Sequence, residues 1–329
     1  MTRCASVSLD LDNKWSYLKT HGDPRWSEYP SYLDVAVPRI LECLNRLDIR
    51  ISFFIVGQDA ALEKNKIALG EIASAGHEIA NHSFNHDPWL HLYSEEQLDA
   101  ELEAAESAIA GATGRKTLGF RGPGFSLSSA TLRVLARRGY EYDATVFPNV
   151  LNPLARAYFF ANSKLSAEER EKRKALFGSW KDALKPIKPF VWELDGKSLV
   201  EIPVTTMPLF RVPIHLSYVI YLGRISRLLA RTYFGFALLL CRLTRTAPSI
   251  LLHPLDFLGK EDDSDLGFFP GMDLSASYKI SLVEETLRML AAHYRLVTVG
   301  EHVRSVPASR LKRVVGMEVG TESRAGDLS

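Results

Sequence analysis

Four of the nine histidines fall within fifteen positions, in "HEIANHSFNHDPWLH": His77, His82, His86 and His91. Such a cluster suits a metal site, an acid/base pair or ordinary polar residues on a loop. His82 and His86, four apart, can be aimed at one point by a helical turn or a tight loop. Asp10 and Asp12, in "SLDLDN", are two apart on a strand-like segment and project from the same face near its C-terminal end. Two carboxylates side by side in a core repel unless a cation or a proton lies between them. "FRGPGFS" adds Arg121 at another strand end, followed by a Gly/Pro-rich loop with open backbone N–H groups, and "LLHPLDF" adds His253 just before a proline. Each feature alone has an ordinary alternative: a surface histidine, a solvated Asp-x-Asp, a salt-bridging arginine, a polar strand end. Four of them, each at the end of a predicted strand, point to one shared site.

The elements that must position these residues alternate in type. "CASVSLDLD" reads as a strand, "YLDVAVPRILECLNRL" as a helix and "IRISFFIVG" as a buried strand. "KNKIALGEIASAG" is a helix ending at Gly76, "HEIANH" a short strand, and "SEEQLDAELEAAESAIAGATG" a long helix with Ser94 as N-cap and Gln97 at its third position. "TLGFRG", "SLSSATLRVLARRG" and "YEYDATVF" continue as strand, helix and strand; "APSILLHPLDF", "ASYKISLVEETLRMLAAH" and "YRLVTVGEHV" close the pattern as strand, helix and last strand. Such alternation means a parallel sheet, either open or closed into a barrel. The expectation is one domain over 1–307, with an inserted helical region at about 150–247 and a loosely ordered tail, 308–329. Within the insertion, "LSAEEREKRKALFGSWKDAL" reads as a charged, solvated helix.

Composition narrows the classes. A chain of 329 residues with 46% hydrophobic and 24% charged residues is ordinary globular protein, and a net charge of +1 gives no reason to expect nucleic acid. Cys4, Cys43 and Cys241 are odd in number and contain no CxxC, against a disulfide framework or thiolate zinc site. No apolar run reaches the roughly 18 residues that span a bilayer, and "MTRCASVSLDLD" has no apolar h-region or cleavage site. A cytoplasmic location is therefore expected.

The ordered set "SLDLDN", "HSFNH", "FRGPGFS", "YEYDATVFP" and "LLHPLDF" resembles the polysaccharide deacetylase family, also called the NodB-homology or carbohydrate esterase family 4 domain. The resemblance covers residues 4 to 147 and 248 to 303; the middle does not match. It implies a distorted, incomplete (β/α) barrel and one divalent metal, commonly zinc, bound by one Asp and two His. Carried over residue by residue, Asp12, His82 and His86 would hold the metal and Asp10 would be the general base. Arg121 would orient Asp10 and hold it ionised, and His253 would be the general acid. The N–H of Gly124, after Pro123, would join the metal at the oxyanion. His77 and His91 fall outside the pattern. Two departures stand out. Asp-Leu-Asp replaces the usual adjacent aspartates, a variant of members acting on lipid-linked sugars. The family's later Asp that tunes the acid histidine has no clear counterpart; Asp143, Asp195 and Asp256 are the alternatives.

Residues 205–245 carry six arginines (211, 224, 227, 231, 242, 245) and no acid, a local charge of +6. Arg224, Arg227 and Arg231 at i, i+3, i+7 predict one stripe of an interfacial helix, with Tyr218, Ile225, Leu229, Tyr233 and Phe236 between. The alternative is a helix pair packed on the barrel. The expected function is removal of an N-acetyl or N-formyl group from an amino sugar, carried on a polyprenyl phosphate at the inner membrane leaflet, whose anionic surface would meet the arginines. The competing readings are a soluble amidase acting on a small amide or nucleotide sugar, and a catalytically silent lipid- or glycan-binding module. A metal phosphoesterase would need a richer ligand set.

Overall fold

The first predicted strand is β1 (Cys4–Asp10), buried from Ala5 onward on both faces, as a parallel strand covered by helices must be. The computed structural model describes residues 3–151, 182–307, 309 and 311–315. After β1 come α1 (Lys14–His21), α2 (Leu33–Arg46), β2 (Ser52–Ile55), α3 (Gly57–Ala61) and α4 (Lys66–Ser74). Then follow β3 (Glu78–Asn81), α5 (Glu95–Thr113), β4 (Gly119–Phe120), α6 (Ser129–Arg138) and β5 (Tyr142–Asp143). The second half holds β6 (Phe190–Leu194), β7 (Lys197–Glu201), α7 (Leu216–Ile225), α8 (Arg227–Leu243) and β8 (Ser249–Leu252). It ends with α9 (Ala276–Ala291), β9 (Arg295–Val297), α10 (Val299–Ser305) and β10 (Lys312–Val315). The capping box expected at Ser94 and Gln97 is present, and α5 stops at Gly114, which takes φ +65°.

The strands lie in the order β10-β6-β7-β5-β4-β3-β2-β1-β8, with β9 beside the start of β1. All neighbours are parallel except β6 and β7. No ladder among the described residues closes the sheet. Thr205 bridges the gap instead: its N–H donates to Ser249 O at 2.9 Å and its hydroxyl accepts from Ser249 N at 2.8 Å. The result is the expected incomplete (β/α) barrel. Its parallel strands bring Asp10, His82, Arg121 and His253 to one rim, at or just past the C-terminal ends of β1, β3, β4 and β8.

Four expectations need correction. "YRLVTVGEHV" is not one strand: β9 stops at Val297 because Thr298 and Glu301 form a capping box that starts α10. The tail is not wholly loose, since β10 pairs in parallel with β6. The insertion is not simply helical: β6 and β7 form a hairpin whose turn residues, Asp195 and Gly196, take φ +43° and +85°, and the hairpin extends the sheet. An Asp-Gly pair between apolar alternations, "FVWELDGKSLVEI", carried that signal. Residues 205–245 do not form one arginine-striped helix, because Ser226 is extended (φ −161°) and caps α8. Arg224 pairs with Asp273, while Arg227 and Arg231 share Glu285. The predicted charged helix lies, but for its last residues, outside the described residues.

His302, on α10, is fully buried, with Nδ1 2.9 Å from Ser6 Oγ. Burial lowers its pKa from 6.5 to about 4, so between those values the folded state binds fewer protons than the unfolded chain. Its contribution is intact above pH 6.5 and is lost as pH falls through that window, by about 3 kcal/mol at the lower end. Melting temperatures across this window should therefore fall less steeply for His302→Gln than for the native chain.

Candidate active site

Asp12 lies two residues past the end of β1. Its Oδ1 is 2.9 Å from His86 Nε2 and 3.4 Å from His82 Nε2. One ligand atom from each of the three residues lies within 4.8 Å of the others. The histidines converge through a tight loop rather than a helical turn: Ser83 and His86 take φ +63° and +52°. Left-handed backbone at two non-glycine residues costs on the order of 1 kcal/mol each, and side chains hold it in place. Asn81 Oδ1 accepts from Ser83 N at 2.8 Å, and Glu101, from α5, accepts from Phe84 N at 2.9 Å and Asn85 N at 2.6 Å. His82 Nδ1 donates to the Arg121 carbonyl at 2.7 Å, which turns Nε2 toward Asp12. Burial by itself would raise the pKa of Asp12; the positive ends of His86 and His82 hold it well below the carboxylate range. Two imidazole nitrogens and one carboxylate oxygen converging at this range fit a divalent metal, zinc among them.

Asp10 has a different partner. Arg121, with no exposed surface, donates from Nη1 to Asp10 Oδ1 at 2.6 Å and to Ser8 Oγ at 3.0 Å, and from Nε to Ala144 O at 2.8 Å. Its guanidinium lies 4.2 Å from the centre of the Phe54 ring. The two neighbouring aspartates thus have different surroundings, one facing histidines and the other an arginine. Gly124 sits in the following loop at φ +59°. That loop is tight: a Cβ on Gly122 would lie 2.1 Å from Ser126 O, and Gly122 N donates to Thr145 Oγ1 at 2.9 Å.

His253, directly after β8, is joined to Asp256. Asp256 accepts from the His253 N–H at 2.9 Å through one oxygen and from the Ser217 hydroxyl at 2.9 Å through the other. Ser217 Oγ also lies 3.1 Å from His253 Nδ1. A hydroxyl has one proton, and that of Ser217 goes to Asp256, so His253 Nδ1–H is the donor in the second bond and Nε2 is left free. Among the three aspartates considered as partners of His253, Asp256 alone is linked to it. Asp143 accepts from Thr145 at 2.5 Å and is buried beside Glu201, and Asp195 occupies the β6–β7 turn.

Sequence reasoning missed three residues of this rim. Ser217 and His215 come from the start of α7, inside the segment with no motif. The His215 ring lies 5.9 Å from that of His253 and 5.6 Å from Phe147, and burial, then the charges of His253 and Arg121, hold its pKa well below 6.5. Tyr17, on α1, is buried; burial and then the charges of Asp12, Tyr32, Asp256 and Asp10 hold its phenol neutral. It therefore lies within electrostatic reach of both the Asp12 and the Asp256 sides. His77, whose Nδ1 accepts from Ile51 N at 3.2 Å, and His91, beside Ser126, lie outside the cluster.

Residues 27–142 match the sequence family described as Polysaccharide deacetylase. The match contains His82, His86, Arg121 and Gly124, while Asp10, Asp12 and His253 lie outside it. A peptidoglycan deacetylase-like protein of Gibberella zeae is 30% identical over 149 residues, 43% of this chain and 42% of that protein. The peptidoglycan deacetylase of Helicobacter pylori is 26% identical over 120 residues, 36% of this chain and 40% of that one. The chain thus matches about two fifths of the length of these curated relatives. A crystal structure from Mycobacterium smegmatis, assigned to the polysaccharide deacetylases, superposes with a TM-score of 0.62 over 95% of this chain and 93% of that one. At 19% identity that likeness concerns the fold. Residues 27–142 thus carry a polysaccharide deacetylase match, two curated relatives of that kind align with part of the chain, and the chain as a whole shares the fold of the Mycobacterium smegmatis structure.

Proposed function

We propose that this protein is a metal-dependent hydrolase that removes an N-acetyl or N-formyl group from an amino sugar. The observation that carries the reading is the division of labour on one rim: Asp12 with two histidines, Asp10 with Arg121, and His253 with Ser217 and Asp256. Amide hydrolysis needs an activated water, a stabilised oxyanion and a proton for the departing amine. A divalent metal held by Asp12, His82 and His86 would supply Lewis acidity and lower the pKa of water there. Asp10 takes the proton of the attacking water, with Arg121 fixing the carboxylate, and His253, carrying a proton on each ring nitrogen, donates the one on Nε2 to the amine nitrogen. The Gly124 N–H serves the developing oxyanion. Ser217 is a positioning residue, since it acts only through His253.

Ser217→Ala should lower kcat by about tenfold to a hundredfold with little change in KM. It should also move the limb of the pH profile that reports His253, and Ser217→Thr should restore both. An unchanged pH profile for Ser217→Ala would leave the hydroxyl a merely structural role.

In its finer form, the reading takes the sugar to be carried on a polyprenyl phosphate and the protein to work at the inner membrane leaflet. Two features support it: the Asp-Leu-Asp motif, and the helices of residues 205–245, which begin beside His253. The test compares kcat/KM for one N-acyl amino sugar with and without its polyprenyl-phosphate tail, in mild detergent. A clear preference for the tailed sugar is expected; equal values would favour a soluble amide or nucleotide sugar.

A further inference from the structure

Of the fifteen large hydrophobic residues exposed among the described residues, nine lie between positions 209 and 243. Seven of them make up one face rather than a scatter. On α8, Leu228, Phe236, Leu239 and Leu243 follow at i, i+8, i+11 and i+15, with exposed Thr232 completing the row, so they share one side of the helix. The opposite side, Ala230, Phe234, Ala237, Leu238 and Cys241, is buried. Ile225, 71% exposed at the end of α7, extends the row at one end.

A turn adds to the face from the side. Leu209 and Phe210 are 75% and 55% exposed, and the Phe210 ring lies 6.4 Å from that of Phe236. The turn is built to display them. Leu209 and Arg211 take φ +73° and +54°, Met207 N donates to Val212 O at 2.8 Å, and Arg211 Nη1 donates to the carbonyls of Ala183 and Lys185. A bulky leucine kept left-handed and solvent-facing is costly, and such strain clusters at functional surfaces.

Charge distinguishes the occupants such a face could take. At the N-terminal end of α8, Arg224, Arg227 and Arg231 face two acids, Asp273 and Glu285. At its C-terminal end stand Arg242 and Arg245, and Lys188 and Arg3 donate to the carbonyls of Thr244 and Arg242. Among the described residues, both ends of the stripe are therefore rimmed by cations in excess of acids. In a two-fold dimer the stripe would set like charges opposite one another in either direction. An anionic lipid surface matches an apolar stripe with a basic rim. No helix of the described residues is long and apolar enough to cross a membrane, so the match is to a surface.

We infer that the outer face of α8, with Ile225 and the Leu209–Phe210 turn, is the surface on which the protein rests on an anionic bilayer. The docking residues are the leucines and phenylalanines, not the arginine triad that the sequence suggests. This deepens the lipid-linked reading of the site and rests on it for its purpose: α7, about 15 Å long, runs from this face to Ser217 and His215.

The test uses the full chain and vesicles of phosphatidylcholine and phosphatidylglycerol in equal amounts. The native protein should sediment with them, and a variant carrying Leu228→Ser, Leu239→Ser and Leu243→Ser should partition about a hundredfold less. Metal content and activity on detergent-solubilised substrate should be unchanged in that variant. Emission from Leu239→Trp should shift to the blue when vesicles are added. Absence of binding, native-like binding by the triple variant, or an unshifted Leu239→Trp would overturn the proposal. Equal binding to phosphatidylcholine alone would overturn its electrostatic half, and a dimer dissolved by the triple variant would assign the face to a second copy. Vesicle binding without deacylation of any lipid-linked sugar in detergent would uphold the docking surface and sink the substrate reading.

Discussion

Asp10→Asn will lower kcat by about a thousandfold while metal content stays at the native level. The magnitude is that of losing a positioned general base, and the retained metal follows from geometry: Asp10 meets Arg121, whereas Asp12 meets the histidines. The substitution has a second consequence. Arg121 has no exposed surface, and removing the charge opposite it leaves a buried cation poorly matched. Breaking such a pair costs about 3 to 5 kcal/mol, so the variant should also melt earlier, and turnover should be compared well below its transition. Ser8 and the Ala144 carbonyl still receive the guanidinium, which keeps the local fold. Native-like turnover in Asp10→Asn would remove it as the base; loss of metal together with turnover would mean that the two aspartates share one role.

Asp12→Ala is expected to abolish both metal binding and activity, and its stability readout does not depend on activity. A metal that binds the folded state alone raises stability by RT ln(1 + [L]/Kd), roughly 4 kcal/mol at a thousandfold excess over Kd. A chelator should therefore lower the melting temperature of the native protein, and added zinc should restore it. In Asp12→Ala and in His86→Ala neither treatment should move the transition. A native response to chelator in either variant would place the metal elsewhere.

The candidate cluster was legible in the sequence because its residues end or follow predicted strands, whereas the role of each was implied by the resemblance to the polysaccharide deacetylase family. Asp10, Arg121 and His253 each follow or end such a strand, and the loop bearing His82 and His86 follows "EIAN". What escaped notice lies where local pattern and tertiary role part company. Ser217 and His215 sit at the start of an amphipathic helix and take their meaning only from His253, 36 and 38 residues on. Arg224, Arg227 and Arg231 read as an acid-free basic stripe because their partners, Asp273 and Glu285, come from elsewhere in the chain. The β6–β7 hairpin was missed for a different reason: its Asp-Gly turn was in plain view, inside a segment read as irregular. Asp256 was one of three alternatives, and only the fold joined it to His253 through Ser217.

In the proposed function, this rim hydrolyses the N-acyl group of an amino sugar, with Asp10 as the base. Its most direct test is mass spectrometry of polyprenyl-phosphate N-acetyl and N-formyl amino sugars incubated with the native protein, zinc and mild detergent, beside an Asp10→Asn control. One acetyl or formyl mass should be lost with the native protein and none with the control. Unchanged masses from a metal-loaded native protein, for these sugars and for their tail-less counterparts, would contradict that function.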